Sequence, residues 1–301
     1  MFELKNHRSA VSVVLIAGIF WSFGPFVVRH IDQPELVAWQ YLFTRGIVIF
    51  LLLNLFLFFE EGRNFYKNYF KVGISGLIGG IGLGIAMTTF IWSITNTTAA
   101  VTLLCLAAMP FITALLGFLF LREKISLTVW ISIIVASFGI IIMSLGNSEK
   151  NTLLGLIFGL VSALGFSIFS VSLRWRKETP KFTTVALAGL FCCLFSTLML
   201  SINDLNFLSS GKNEALFAIH GTLVCLGLIL YSIGSKNIPA TDLTLLSLTE
   251  VIGGIFWVWF PWLGINEIPS TNTIIGGFFI FFAIFYYSLI IQTNKRFIGL
   301  N

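Results

Sequence analysis

Two residues that are charged at neutral pH, Arg45 and Glu250, stand inside long apolar stretches of the sequence. Glu250 is the only acidic or basic residue between Asp242 and Glu267. A charge taken out of water costs free energy unless a partner compensates it. A carboxylate in that setting binds an amine or carries a proton, and a guanidinium binds a carboxylate or a phosphate. Both residues are candidates for a ligand site, with a structural ion pair, or an Arg45 bonded to backbone carbonyls, as the alternative.

Four further residues carry polar or aromatic groups suited to the same chemistry. His220 is predicted to relay protons, because an imidazole changes charge near neutral pH. A hydrogen-bonded structural histidine is the alternative reading of that residue. Trp21, Ser22 and Trp92 are predicted to contact a substrate, and the two indole faces would attract a cationic group.

The composition identifies the kind of element that must position these residues. The chain has 301 residues, of which 57% are hydrophobic and 10% charged, and its mean hydropathy is +0.95. Soluble domains carry about 25% charged residues, and no soluble fold of this length buries so much apolar surface. The sequence therefore predicts an all-α polytopic membrane protein. Its first apolar segment is too long for the core of a signal peptide and is predicted to be a retained helix.

Ten apolar segments are long enough, at about 20 residues each, to cross a bilayer as helices. Arg45 lies about 15 Å along the second segment and Glu250 about 12 Å along the ninth, measured from opposite surfaces. In a hydrocarbon core about 30 Å thick, the two residues reach nearly the same depth. Pro25 and Pro110 are predicted to interrupt or kink the first and fourth helices at the cavity, with simple tolerance of the prolines as the alternative. The ten segments are residues 10–28, 35–59, 71–93, 99–121, 126–145, 153–173, 183–202, 214–234, 242–263 and 271–292.

The distribution of lysine and arginine predicts the orientation. Fourteen of the 18 basic residues fall in the two tails and the alternate connections that share a side with them. The other connections hold only Arg29, Lys150 and Lys212. Because basic residues accumulate on the cytoplasmic side, both termini are predicted to be cytoplasmic, in the cell (inner) membrane. An even number of spans agrees with the count of ten.

Weak internal similarity predicts two five-helix halves. A shift of about 141 to 145 residues aligns polar residues of one half with the other, and Glu250 then falls opposite Met109, so its charge occurs in one half only. The halves are predicted at 1–147 and 151–292, followed by a tail at 293–301. Because each half has an odd number of spans, the two insert with opposite orientation, as in many secondary transporters. The aligned pairs are Ser22 with Ser167, Arg29 with Arg174, Asn96 with Asn237, Glu123 with Glu267 and Ser126 with Ser270.

Several motifs together resemble a known family. They are Trp21-Ser22 in the first helix, Arg45 in the second, MPFITALLGFLFLREKIS at the end of the fourth, and the run IPATDLTLLSLTEVIGGIFWVWFPWLGINEIPSTNTIIGG. The chain resembles the EamA-type permeases of the drug/metabolite transporter superfamily over essentially its whole length. It departs from the family at Val251, where proline often follows the glutamate, and at Ser22, where glycine often follows the tryptophan.

The resemblance implies a secondary transporter for a small organic metabolite that works by alternating access, with proton coupling or exchange both open. Glu250 and the aromatic residues favour an amino-acid-like, cationic or zwitterionic solute. A membrane-embedded enzyme or a channel is the alternative, although no catalytic motif and no repeated selectivity-filter signature occurs in the sequence. Neither a cofactor nor a metal is expected. The expected partners are the substrate and the lipid bilayer, with a homodimer left open and no nucleic acid.

Overall fold

The computed structural model describes residues 7–122, 127–145, 152–176 and 178–297, and the regular structure among these residues is helical, without any strand. Glu123 and Ser126 of the repeat alignment, and Lys150, lie outside the described residues. The predicted tail at 293–301 is helical as far as Phe297. The helices are α1 His7–Arg29, α2 Ala38–Glu61, α3 Lys67–Lys71, α4 Gly73–Asn96, α5 Ala99–Leu106, α6 Met109–Leu121, α7 Leu127–Leu145, α8 Thr152–Trp175, α9 Lys181–Ile202, α10 Gly211–Gly234, α11 Ala240–Leu246, α12 Thr249–Trp259 and α13 Thr271–Phe297.

The prediction of an all-α polytopic membrane protein is confirmed. Within the described residues, eight segments are long and apolar enough to cross a membrane. Two further apolar stretches, Trp130–Ile142 in α7 and Thr271–Tyr286 in α13, are shorter. The number of ten spans, the inverted halves and the side on which the termini lie remain predictions.

Two of the predicted helices are broken in the middle. The fourth segment divides into α5 and α6 at Ala107 and Ala108, and the ninth divides into α11 and α12 at Ser247 and Leu248. Because α5 packs against α12 and α6 against α11, the two broken helices lie antiparallel with their breaks side by side. Pro110 is the second residue of α6, so it begins a helix directly after the break.

The predicted ends of the ninth segment and the predicted break at Pro25 need correction. The ninth segment begins at Ala240 and ends at Trp259, before residue 263. Phe260 adopts an extended conformation because it precedes Pro261, and a residue before proline is pushed out of the helical region. Pro25 does not interrupt its helix, since α1 continues from His7 to Arg29.

Several helix contacts are unchanged when the helices of the first predicted half are exchanged for those of the second. In the predicted halves, α1 corresponds to α8, α2 to α9, α4 to α10 and α7 to α13. Exchanging these helices turns the contact α1–α10 into α8–α4, and the contact α2–α10 into α9–α4. The pairs α2–α9 and α7–α13 map onto themselves. All of these pairs are in contact in the structure. The breaks at the centres of α5–α6 and α11–α12 obey the same exchange.

The contact between α4 and α8 depends on two glycines. A Cβ on Gly82 would lie 2.9 Å from the carbonyl oxygen of Gly165, and a Cβ on Gly165 would lie 2.5 Å from that of Gly82. Small residues allow the backbones of membrane helices to approach in this way. One turn away the Ser162 hydroxyl donates a hydrogen bond to the Ala86 carbonyl at 2.9 Å, so the two helices are fixed beside the central cavity.

One end of the bundle is held by an ion pair between Arg29 and Glu267. The Arg29 Nε donates to Glu267 Oε2 at 2.7 Å, and the other guanidinium nitrogens donate to the carbonyls of Ile94 and Thr97 at 2.9 and 3.0 Å. The second Glu267 oxygen accepts from the Ala99 N–H at 2.6 Å. This cluster therefore joins the end of α1, the end of α4, the start of α5 and the connection after α12.

We expect Glu267→Ala to lower the free energy of unfolding by about 2–3 kcal/mol, because it removes hydrogen bonds to a charged group and the counter-charge of Arg29. Thermal unfolding of the purified protein measures this loss, with the exposed Glu35→Ala as the control. Arg29→Ala should cost less in the Glu267→Ala background than in the wild type. If the stability losses of the two single variants add fully in the double variant, the interaction between Arg29 and Glu267 does not stabilise the protein.

Candidate functional site

A central cavity collects four of the residues predicted from the sequence: Trp21, Arg45, His220 and Glu250. Its volume is about 70 Å³, whereas ligand pockets usually measure roughly 300–1,000 Å³. The cavity as described therefore has to enlarge before it can hold a metabolite. The other lining residues, apolar apart from one serine, are Leu83, Ala86, Met87, Phe90, Leu106, Met109, Ser162, Phe166, Val224 and Leu228.

Arg45 enters the cavity from α2 and is only 2% exposed. One of its terminal nitrogens donates to the Met87 carbonyl at 2.7 Å, and the Tyr41 ring lies 5.7 Å from the guanidinium carbon. Its Nε has no hydrogen-bond partner among the described residues. No carboxylate of the described chain pairs with it within 4.0 Å. Arg45 thus keeps a buried positive charge and unused donors beside the cavity.

Glu250 reaches the cavity from the first turn of α12, two residues after the break at Leu248. Its backbone N–H donates to the Ser247 carbonyl at 2.9 Å, which closes the turn between α11 and α12. The half-buried carboxylate forms neither an ion pair nor a hydrogen bond with the described side chains. The start of a helix carries a partial positive charge, which favours a carboxylate at this position.

His220 is buried between α10, α2 and α1. Its Nδ1 is hydrogen-bonded to the Tyr41 hydroxyl, and Tyr41 stacks on Phe217 with the ring centroids 4.7 Å apart. A Cβ on Gly24 of α1 would lie 2.8 Å from His220 Nε2. The imidazole therefore packs against α1 at a position where a side chain would collide with it. His220 therefore lies beside the cavity with one ring nitrogen already used, and Tyr41 is a participant that the sequence did not indicate.

Trp21 forms the aromatic wall of the cavity. Its indole N–H donates to the Val224 carbonyl at 3.2 Å, and its ring centroid lies 5.5 Å from those of Phe166 and Tyr231. The ring lies directly over Gly227 of α10, where a Cβ would come within 2.1 Å of the indole nitrogen. The ring is thus held by the surrounding helices and turned toward the cavity.

The structure does not bring Ser22 or Trp92 to the cavity. Ser22 is one residue past Trp21, about 100° around α1; its hydroxyl donates to the Ile19 carbonyl at 2.7 Å and accepts from the Trp257 indole at 3.0 Å. Trp92 is nine residues from Leu83, half a turn around α4 from the cavity face. It packs against Trp39, with the ring centroids 5.0 Å apart. Both residues have packing roles here because the helical period turns them away.

The fold and the cavity describe a multi-pass membrane protein with a buried polar site. Residues 8–145 match the EamA-like transporter family. Two Helicobacter pylori proteins, each named an uncharacterized transporter, are 27% and 26% identical to this chain over 261 residues, which cover 82% of this chain and 84% of each relative. The uncharacterized transporter YojE of Bacillus subtilis is 24% identical over 248 residues, covering 77% of this chain and 78% of its own.

A solved crystal structure shares the fold. It is 16% identical, covers 96% of this chain and 99% of its own, and superposes with a TM-score of 0.60. The resemblance seen in the sequence motifs is confirmed by the family and the transporter relatives. Over residues 8–145, a little under half of its length, the chain is similar to the EamA-like transporter family.

We expect Gly227→Ala to destabilise the protein by about 1–3 kcal/mol, because the new methyl group would overlap the Trp21 indole. Gly211→Ala in the same helix is the matched control, since a methyl group there meets no atom within 4 Å. Thermal unfolding in detergent compares the two. Equal transition temperatures would contradict the contact between Trp21 and α10.

Proposed function

We propose that this protein is a secondary transporter for a small zwitterionic solute of the amino-acid type. The observation that carries the proposal is that Arg45 and Glu250 line one cavity without forming an ion pair with each other or with another described side chain. A solute with one carboxylate and one amine supplies both missing partners. Arg45 would bind the carboxylate and Glu250 the amine.

Electrostatics favours that solute over a singly charged one. Removing one partner of a buried ion pair costs several kcal/mol, because the remaining charge is left without compensation. A ligand that meets only Arg45 leaves Glu250 unpaired, and a ligand that meets only Glu250 leaves Arg45 unpaired. Trp21 and Phe166 add aromatic surface that attracts an ammonium group and packs against an apolar side chain.

We infer that transport proceeds by alternating access between two inverted five-helix halves. Support comes from the paired helix contacts, from the break in the fourth and ninth helices, and from the position of Glu250 at such a break. In many secondary transporters, broken helices near the membrane centre form the substrate site at the interface of two repeats. Ten spans in the cell (inner) membrane with both termini cytoplasmic complete the proposed topology, and coupling to protons through Glu250 or His220, or exchange, drives the cycle.

Uptake of a labelled neutral amino acid into proteoliposomes tests the proposed function. Glu250→Gln and Arg45→Ala are each expected to weaken apparent affinity by about 30-fold or more, as the loss of a buried charge contact of at least 2 kcal/mol implies. The exposed residues Glu35 and Arg63 provide the controls Glu35→Gln and Arg63→Ala, which should transport normally. Saturable uptake that neither cavity variant alters would contradict this site, and non-saturating, ohmic flux would indicate a channel.

Cysteine labelling tests the proposed topology. In a Cys193→Ser background, Asn206→Cys between α9 and α10 is expected to react with a membrane-impermeant maleimide added to intact cells. Asn64→Cys, in the connection after α2, should react only after the membrane is permeabilised. Both positions are exposed, so a difference in labelling reports the side of the membrane. The reverse pattern would contradict cytoplasmic termini.

A further inference from the structure

A second cavity, of about 960 Å³, lies at the start of α9 and shares no lining residue with the central cavity. Its walls come from the end of α2, from α3, from the end of α8, and from the connections before α9 and after α10. We refer to it as the α9 pocket. These connections are among those whose basic residues predict a cytoplasmic position.

The start of α9 presents unused hydrogen-bond donors to this pocket. The first N–H groups of a helix have no acceptor within the helix. At α9 the preceding residue is Pro180, and no side chain caps the helix. A helix of 22 residues also places a partial positive charge at its start. Phosphate and carboxylate groups bind at such positions.

Three basic side chains converge on the same pocket. The Lys181 ammonium donates to the Ser235 hydroxyl at 2.8 Å, and Arg174 and Lys236 line the pocket beside it. None of the three forms an ion pair with a carboxylate in the part of the chain that the structure describes. Like charges held together repel each other, so an anion between them relieves an unfavourable interaction.

A buried hydroxyl in the pocket also lacks a partner. Thr183 lines the pocket in the first turn of α9, has no exposed surface, and its hydroxyl bonds to no described residue. Burying a hydroxyl without a hydrogen bond costs free energy. A ligand oxygen at the start of α9 would accept a hydrogen bond from it. This observation is independent of the basic side chains and of the uncapped helix.

The charges lining the pocket indicate how much negative charge the ligand carries. Besides the three basic residues, the lining contains Lys71 and three carboxylates, those of Glu60, Glu61 and Glu178. Among the described lining residues, four positive groups outnumber three negative ones by one charge. A ligand group with one negative charge matches this balance, and a phosphate ester is such a group.

We propose that the α9 pocket binds a singly charged phosphate ester, with its oxygens at the start of α9 and beside Lys181, Arg174 and Lys236. The headgroup of an anionic phospholipid fits the surroundings best. Three aromatic residues within two positions of lining residues in the sequence, Phe59, Tyr66 and Phe70, are 76%, 51% and 87% exposed, which leaves aromatic surface available to lipid near the pocket. Basic pockets between membrane helices recognise anionic headgroups in this way.

Thermal stability of the purified full-length protein tests the proposal. In dodecyl maltoside, added phosphatidylglycerol is expected to raise the transition temperature, whereas diacylglycerol, which lacks the phosphate, is not. Lys181→Gln and Lys236→Gln should each raise the lipid concentration needed by about tenfold, as the loss of a charged hydrogen bond implies. Thr183→Val should also raise it while keeping every charge, and Lys67→Gln, exposed on α3 and outside the pocket, should not.

Inorganic phosphate, compared with chloride at equal ionic strength, identifies the source of the ligand. Stabilisation by phosphatidylglycerol alone supports a lipid headgroup. Equal stabilisation by inorganic phosphate that Lys181→Gln weakens supports the same site with a soluble ligand. The proposal is overturned if neither compound stabilises the protein, or if none of the three pocket variants weakens the effect. Because uptake through the central cavity is measured separately, failure here leaves the proposed transport function untouched.

Discussion

Two opposite charges, Arg45 and Glu250, share one small apolar cavity, and within the described chain no ion pair joins them. Taking either charge out of water is costly, and the attraction of a close pair would repay part of that cost. Arg45 and Glu250 do not form such a pair, so their mutual attraction does not offset the cost of desolvation. The unpaired donors of Arg45 and the free carboxylate of Glu250 are the observation from which we propose that a ligand completes this site.

The surrounding helices hold these charges in place by backbone geometry as much as by side-chain contacts. The break at Ser247 and Leu248 begins a new helix just before Glu250, so the carboxylate lies at the favourable end of a helix dipole. Glycines at positions 24 and 227 let α1 and α10 meet closely enough to fix His220 and Trp21 beside it. At one end of the bundle, Arg29 and Glu267 tie four chain segments together. The two broken helices lie side by side at this level, where the proposed transport cycle would move the two predicted halves against each other.

The sequence was most informative about the site where a residue type costs free energy inside the membrane. Arg45 and Glu250 were recognisable because charges rarely stand in apolar segments. Whether Ser22 and Trp92 face the cavity depends on how α1 and α4 are rotated about their axes. Residue type alone does not reveal that rotation. The break before Glu250 escaped prediction because neither proline nor glycine marks Ser247 and Leu248. The pair of Arg29 with Glu267 joins residues 238 positions apart, and no local pattern links them.

The most direct test is a thermodynamic cycle between Arg45 and the carboxylate of the ligand. The dissociation constants of a neutral amino acid and of its decarboxylated amine are measured by calorimetry on the wild type and on Arg45→Ala. If Arg45 binds the carboxylate, removing that group from the ligand weakens binding to the wild type strongly and to Arg45→Ala little, so the two losses are not additive. Additive losses, with the amine weakened equally on both proteins, would contradict the central claim.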